Sequence, residues 1–187
     1  MMKNVGREGF SAAGVLLAAG AGTRYGMPKV QAEGGAWLRA GVAALSGGGC
    51  DDVVVVLGAV MVDVPAPARA VIAPDWAGGL SNSVRAGLAA APGWAEFAVL
   101  TTVDTPDVDA AVVRRALQAA RSSEAGLARA VYGGRPGHPV VLARRHWPAL
   151  LDTLHGDTGA GAFLRSRADV VAVDCADLAS GEDVDEP

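Results

Sequence analysis

Residues 16–29 read LLAAGAGTRYGMPK, an apolar run that enters a glycine-punctuated turn carrying two cations, Arg24 and Lys29. The run from Gly14 to Ala19 suits a buried strand. Gly20, Gly22 and Gly26 let backbone N–H groups approach an anion closely, and the two cations neutralise phosphate charge. A strand feeding such a loop is how a protein holds a nucleoside triphosphate. An ordinary strand–loop–helix connection would leave three glycines, an Arg and a Pro-Lys pair within so short a stretch without a reason.

Spacing separates the phosphate-binding designs that this loop could belong to. A Walker-type loop needs G-x-x-x-x-G-K-[ST], whereas Lys29 follows Pro28 and precedes Val30, so both the Gly-Lys pair and the magnesium-binding hydroxyl are missing. The dinucleotide fingerprint G-x-G-x-x-G is missed as well, because Gly20, Gly22 and Gly26 are spaced G-x-G-x-x-x-G. That design also needs an acid at the end of the second strand to hold a ribose, where this chain has Leu57-Gly58-Ala59; Asp63 comes too late. What remains is a strand, then LAAG, x-G-x-R and x-G-x-P-K.

The rest of the chain supplies a matching frame. Its 187 residues are enough for one domain with a full core, and the reading is a single domain over 1–187 with flexible tails at 1–12 and 177–187. Hydrophobic residues make up 51% and aromatic ones only 5%, so the core is Ala, Val and Leu, which favours a closely packed sheet with helices. Strands are expected at Gly14–Ala19, Asp52–Leu57, Ala70–Ile72, Ala95–Val103, Gly126–Val131, Pro139–Leu142 and Val170–Val173, all apolar enough to be buried on both faces. Helical spacing recurs at Trp37–Leu45, Leu80–Ala90, Ala110–Ala120 and His146–Leu154. Strands alternating with helices predict an α/β fold, a three-layer α/β/α Rossmann-like domain with a mostly parallel sheet. A net charge of −4 argues against a general nucleic-acid binder. Cys50 and Cys175 lack metal-like spacing and imply a reduced protein, and no segment reads as a signal peptide or a membrane span, so a cytoplasmic location is expected.

Further blocks extend the first motif. They are Trp76–Leu88 (WAGGLSNSVRAGL), Leu100–Pro106 (LTTVDTP), Gly137–Val141 (GHPVV), Gly156–Ala160 (GDTGA) and Asp183–Pro187 (DVDEP). Taken in this order with the Gly14–Lys29 motif, they resemble the MobA-like nucleotidyltransferases. That group includes the molybdenum-cofactor cytidylyl- and guanylyltransferases and is related to the sugar-phosphate nucleotidyltransferases. The resemblance implies transfer of a nucleoside monophosphate from an NTP to a phosphorylated acceptor, with Mg2+ as cofactor and release of pyrophosphate. The acceptor it implies is of the molybdopterin type, with possible contact to a molybdoenzyme maturation protein. Two readings stand beside it: transfer to another small phosphate, or a nucleotide-binding protein without turnover. An NAD-binding oxidoreductase is disfavoured by the missing ribose acid.

The resemblance implies roles for particular residues. Arg24, Lys29 and Asp104 are the expected catalytic residues. Leu17, Ala18, Ala19, Gly20, Gly22, Ser81, Asn82 and Ser83 join them in holding the nucleotide. His138, Gly156, Asp157 and Gly159 belong to the acceptor side. Asp104 and Asp185 would hold the metal, with Asp183 as the competitor to Asp185. Each residue also has a plainer role open to it. Asp104 could be a turn acid before Pro106, Asp185 part of a solvated acidic tail, and Ser81, Asn82 and Ser83 helix N-caps. His138 could be structural, and Asp157 a cap for a helix starting near Ala160. At Ala18–Ala19 the resembling guanylyl enzymes often have Gly-Gly, so two alanine methyls favour CTP over GTP. Gly161 stands where the family commonly has Arg, and Arg165 offers a replacement charge one helical turn on.

Overall fold

The computed structural model describes residues 11–186. Seven strands form one sheet: β1 (Ala12–Leu17), β2 (Asp52–Leu57), β3 (Arg69–Ile72), β4 (Phe97–Thr102), β5 (Leu127–Tyr132), β6 (Arg135–Ala143) and β7 (Val171–Asp174). Their order is β3-β2-β1-β4-β6-β5-β7; β6 runs antiparallel to both its neighbours, and the remaining pairs are parallel. The helices are α1 (Ala32–Gly47), α2 (Leu80–Ala90), α3 (Ala110–Ser122), α4 (Trp147–Thr153) and α5 (Ala160–Arg165).

Strand parity sorts the side chains into two cores. On one face Leu16, Val53, Val55 and Val99 meet Leu38, Val42 and Leu45 of α1 and Val112, Val113 and Leu117 of α3. On the other, Val15, Leu17, Val56 and Leu100 meet Val84 and Leu88 of α2, Trp147 and Leu150 of α4, and Phe163 and Leu164 of α5. These are the three layers that the alternating sequence pattern predicts.

Several expectations are corrected in detail. Burial on both faces holds for β1, β2 and β4, but β3 and β7 are edge strands with mostly partly or fully exposed residues. The segment expected as the short strand Pro139–Leu142 is the end of a nine-residue strand, because Gly133 and Gly134, at φ 57° and 81°, fold β5 and β6 into a hairpin. His138 therefore lies within a strand and not in a turn before one. At α1, Glu33, Gly34 and Gly35 have left-handed backbone, so regular helix begins after them, close to the predicted Trp37.

Residues 177–186 form no helix or strand, yet their path is fixed at several points. Leu178 and Ala179 pack against the core, and Asp107 Oδ2 accepts from the Ser180 hydroxyl and backbone N–H, both at 2.7 Å. The Val184 N–H donates to the Asp104 carbonyl at 2.9 Å. The other tail expected to be flexible, 1–12, falls outside the described residues as far as residue 10, and Ala12 already belongs to β1.

Candidate active site

The chain leaves β1 for β2 on one side and later returns through β4 on the other. The carboxyl ends of β1 and β4 therefore flank a topological switch point, the position where open α/β sheets hold ligands. A cavity of about 540 Å³ opens there, lined by the loop from Ala18 to Tyr25, by Lys29, by Trp76–Ala77 and Gly79–Leu80, and by Ser83, Thr102, Asp104, Asp157 and Asp185. Its size suits a nucleotide-sized ligand.

The loop is shaped by its own backbone. Gly22 sits at φ +62°, and a Cβ there would lie 1.9 Å from the Met27 carbonyl oxygen, so only glycine fits. The Gly26 N–H donates back to the Gly22 carbonyl at 2.9 Å, which closes the turn and delivers Lys29 to the crevice. Tyr25 stacks at a tilt on Trp37 of α1, with ring centroids 5.2 Å apart, anchoring the loop from outside.

Lys29 is the hub of the charges. Its Nζ donates to Asp104 Oδ2 at 3.0 Å and to Asp185 Oδ1 at 2.7 Å, and Arg24 Nη1 lies 3.3 Å from Asp185 Oδ2. Burial alone would lower the pKa of Lys29, but hydrogen bonds to Asp185 and Asp104 outweigh it and hold the ammonium above its ordinary range. The same bond from Lys29 keeps Asp185 below the usual carboxylate range. Asp183 goes the other way: burial raises its pKa, and the charges of Asp104 and Asp185 add to the rise. Of the two tail acids, Asp185 lines the cavity and reaches Lys29.

Two features of the site fit a hard divalent cation. Asp104 Oδ1 is buried without a hydrogen-bond partner among the described residues, and Oδ2 already shares one cation with Asp185. Two carboxylates are a usual protein share for Mg2+ or Mn2+ when phosphate oxygens and water complete the shell. No group of three or more potential ligands occurs among the described residues.

The remaining sequence candidates divide. Leu17, Ala18, Ala19, Gly20, Gly22, Ser83 and Asp157 line the cavity; Ser81, Asn82, His138, Gly156 and Gly159 do not. The proposed N-caps are corrected. Gly79, at φ +116°, occupies the cap of α2 without a side-chain bond, because a Cβ there would strike the Gly156 carbonyl at 2.3 Å. Ser81 instead donates its backbone N–H to Gly156, and Asn82 Nδ2 donates to the Asp75 carbonyl. The cap of α5 is Gly159, with no side-chain bond from Asp157. These contacts fasten the Gly156–Gly159 loop to the start of α2, so the two segments form one wall.

His138 lies on β6 two residues before Val140, where the charges of Arg129 and Asp104 both act on its ring. Burial, then repulsion from Arg129, lowers its pKa to about 4, with Asp104 opposing. Its ring is therefore neutral at pH 7. Thr102 carries no role in the sequence reading, yet it lines the cavity with its Oγ1 buried and unpartnered. Its period-two spacing from Asp104 was the available signal.

The chain and its fold are similar to known proteins. The nicotine blue oxidoreductase of Paenarthrobacter nicotinovorans is 37% identical over 188 residues, covering 92% of this chain and 91% of that protein. The crystal structure of Rv0371c from Mycobacterium tuberculosis H37Rv superposes with a TM-score of 0.74 at 26% identity, covering 94% of this chain and 93% of that one. A manganese complex of Rv0371c superposes with a TM-score of 0.66, also at 26% identity, over 88% and 89% of the two chains. The model of the MobA-like NTP transferase domain matches residues 14–171, and the chain belongs to that family.

Proposed function

We propose that this protein transfers CMP from CTP to a phosphorylated acceptor of the molybdopterin type and releases pyrophosphate. The observation that carries this reading is the convergence of Arg24 and Lys29 with Asp104 and Asp185 at one sheet edge, within 3.3 Å contacts. Nucleotidyl transfer joins two anions, so it needs cations and in-line placement more than covalent catalysis. An acceptor phosphate oxygen attacks the α-phosphorus; a new P–O bond forms, the bond to the β-phosphate bridging oxygen breaks, and pyrophosphate leaves with the electron pair. The nucleophile is already ionised at neutral pH, so no general base is required, and a neutral His138 is compatible with this.

In this reading Arg24 and Lys29 hold the triphosphate and stabilise the charge gathering on pyrophosphate. Asp104 and Asp185 would hold Mg2+, which when bound supplies Lewis-acid neutralisation of phosphate charge. The manganese complex of Rv0371c supports use of a divalent ion. The loop glycines bring backbone N–H groups to the phosphates, and Trp76 offers an aromatic wall at the cavity. Two free buried cysteines fit a reducing cytoplasm, and no helix among the described residues is long and apolar enough to cross a membrane. Contact with a molybdoenzyme maturation protein belongs to the same reading.

A second reading follows from the relative named as an oxidoreductase: hydride transfer to an aromatic dye-like acceptor. Against it stands the end of β2, where Leu57-Gly58-Ala59 supplies no acid for a nicotinamide ribose. One pair of assays separates the two. Pyrophosphate release is measured over the four NTPs with Mg2+ or Mn2+ and candidate phosphorylated acceptors, beside NADH or NADPH oxidation with nicotine blue as acceptor. CTP-dependent release abolished by EDTA is the expected result. Nicotinamide oxidation with no release from any NTP would reverse the order of the two readings.

A further inference from the structure

On the same sheet face as the cavity, two guanidinium groups meet where no carboxylate among the described residues answers them. Arg129 projects from β5 with the parity of Leu127, towards the core that holds α5. Its Nε donates to the Gly137 carbonyl at 3.1 Å, which orients the head group and leaves Nη1 and Nη2 without a partner among the described residues. Arg165 ends α5, exposed and likewise without an ion pair there. Both heads converge on Gly161. The point that a Cβ would occupy at that glycine lies 3.3 Å from Arg165 Nη1 and 3.6 and 3.8 Å from Arg129 Nη1 and Nη2.

Two like charges brought to one point repel, and burial of Arg129 adds to the cost, since both effects lower its pKa. Such an arrangement is expected where a ligand supplies the missing negative charge, and paired guanidinium heads suit the several oxygens of a phosphate. The bond to Gly137 uses one nitrogen of this charged residue in the otherwise apolar strand LARAVY and leaves its charge unanswered among the described residues. Its place is also informative. Arg129 pairs with Val140 of β6, which pairs with Leu100 of β4, so Arg129 stands two strand spacings, about 10 Å, from Leu100, and its charge and that of Asp104 both act on His138. The phosphate loop after β1 lies on the opposite side of Asp104.

We propose that Arg129 and Arg165 together seat a dianionic phosphate monoester group of the acceptor, over the space kept open by Gly161. The assignment to the acceptor rests on the nucleotidyl-transfer reading; the seat itself does not. Arginine at the position of Gly161 would fill this space from one side, whereas here two arginines approach it from β5 and α5.

The test uses the full chain labelled with 15N in arginine and in the backbone, titrated with inorganic phosphate without nucleotide. The Nε–Hε signals of Arg129 and Arg165 should move together along one saturating curve. In Arg165→Gln, an exposed change, the midpoint read at Arg129 should rise at least tenfold with the melting temperature unchanged, and Arg165→Lys should recover part of the loss. Pyrophosphate with Mg2+ should move the backbone amides of Gly20–Arg24 and leave Arg165 still, separating the acceptor seat from the leaving-group site. Phosphate that moves only the Gly20–Arg24 amides, or an Arg129 midpoint indifferent to Arg165→Gln, overturns the seat. Coupled saturation of both arginines in a protein that turns over no NTP keeps the seat and overturns the transfer reading alone.

Discussion

Lys29 Nζ and Asp185 Oδ1 meet at 2.7 Å although 156 positions separate them in the chain, and the same ammonium touches Asp104 at 3.0 Å. The glycine-rich loop after β1, the end of β4 and the closing acidic segment are thus joined through one side chain. A cation already sits between the two carboxylates that would hold a metal. Removing it in Lys29→Ala takes the countercharge from Asp104 and leaves Asp185 only its contact with the exposed Arg24, so added Mg2+ or Mn2+ should raise the melting temperature of the variant more than that of the wild type. Turnover should fall roughly 100-fold or more, the usual cost of losing one group that stabilises developing charge. Differential scanning fluorimetry with and without metal, beside a pyrophosphate-release assay, checks both. Equal metal shifts in the two proteins would remove the carboxylate pair as the metal site.

His138 gives a pH dependence with a definite sign. Its folded pKa of about 4 lies below the ordinary 6.5, so between those values the unfolded chain binds more protons than the folded one. Stability should therefore rise with pH across that window, be complete above about pH 6.5, and fall away below it. His138→Gln should flatten this part of the profile. Urea midpoints from pH 4 to pH 8 measure the slope, and NMR titration of the ring gives the midpoint. A ring that titrates near 6.5 would show that burial does not act on it as described.

Much of the fold follows from patterns that local chemistry sets. Asp52–Leu57 and Leu80–Ala90 have the boundaries expected of them, because a valine run bounded by Asp and Gly, and an apolar helical stripe after a Gly pair, are decided within their own length. The hairpin lengthening β6 was less legible, since Arg135, Pro136 and Gly137 look like loop residues and become strand only by pairing with β5. That the loop glycines, Arg24, Lys29 and Asp104 line one cavity was legible because a strand followed by a glycine-rich loop, and an acid just after a neighbouring strand, meet at the same sheet edge. The meeting of Lys29 with Asp185, and of Arg129 with Arg165, depends on tertiary placement that no local spacing records.

The two alanines on which the proposed preference for CTP rests do not share one environment. Ala18 and Ala19 are each 5% exposed, but Ala18 belongs to the core under α1 and α3, whereas Ala19 joins the face of Leu17 and Trp76. Both line the cavity, and Ala19 shares its packing with Trp76, the wall proposed for the nucleotide. Ala19→Gly should raise the kcat/KM for GTP relative to CTP by roughly tenfold, the scale of one methyl-sized change in a pocket, and Ala18→Gly should change the ratio little while lowering stability. Parallel kinetics with the two nucleotides decide it. A larger change in the ratio from Ala18→Gly would assign base selection to the other face.

Gly22 offers the sharpest separation of site from scaffold. Its φ of +62° strains any L side chain, and an added methyl would overlap the Met27 carbonyl oxygen 1.9 Å away, so Gly22→Ala must open the turn that Gly26 N–H closes onto Gly22. The loop carries Arg24 outward and Lys29 inward, while the sheet beneath it is held by pairings of β1 with β2 and β4 that do not involve the loop. The displaced loop should weaken NTP binding at least tenfold and lower turnover with it, because misplacing a charge by about 1 Å is enough to cost that much. The far-ultraviolet circular dichroism should stay that of the wild type. Calorimetric titration of the variant with CTP and Mg2+ measures the first effect; unchanged affinity in a variant with intact folding would mean that the loop does not hold the triphosphate.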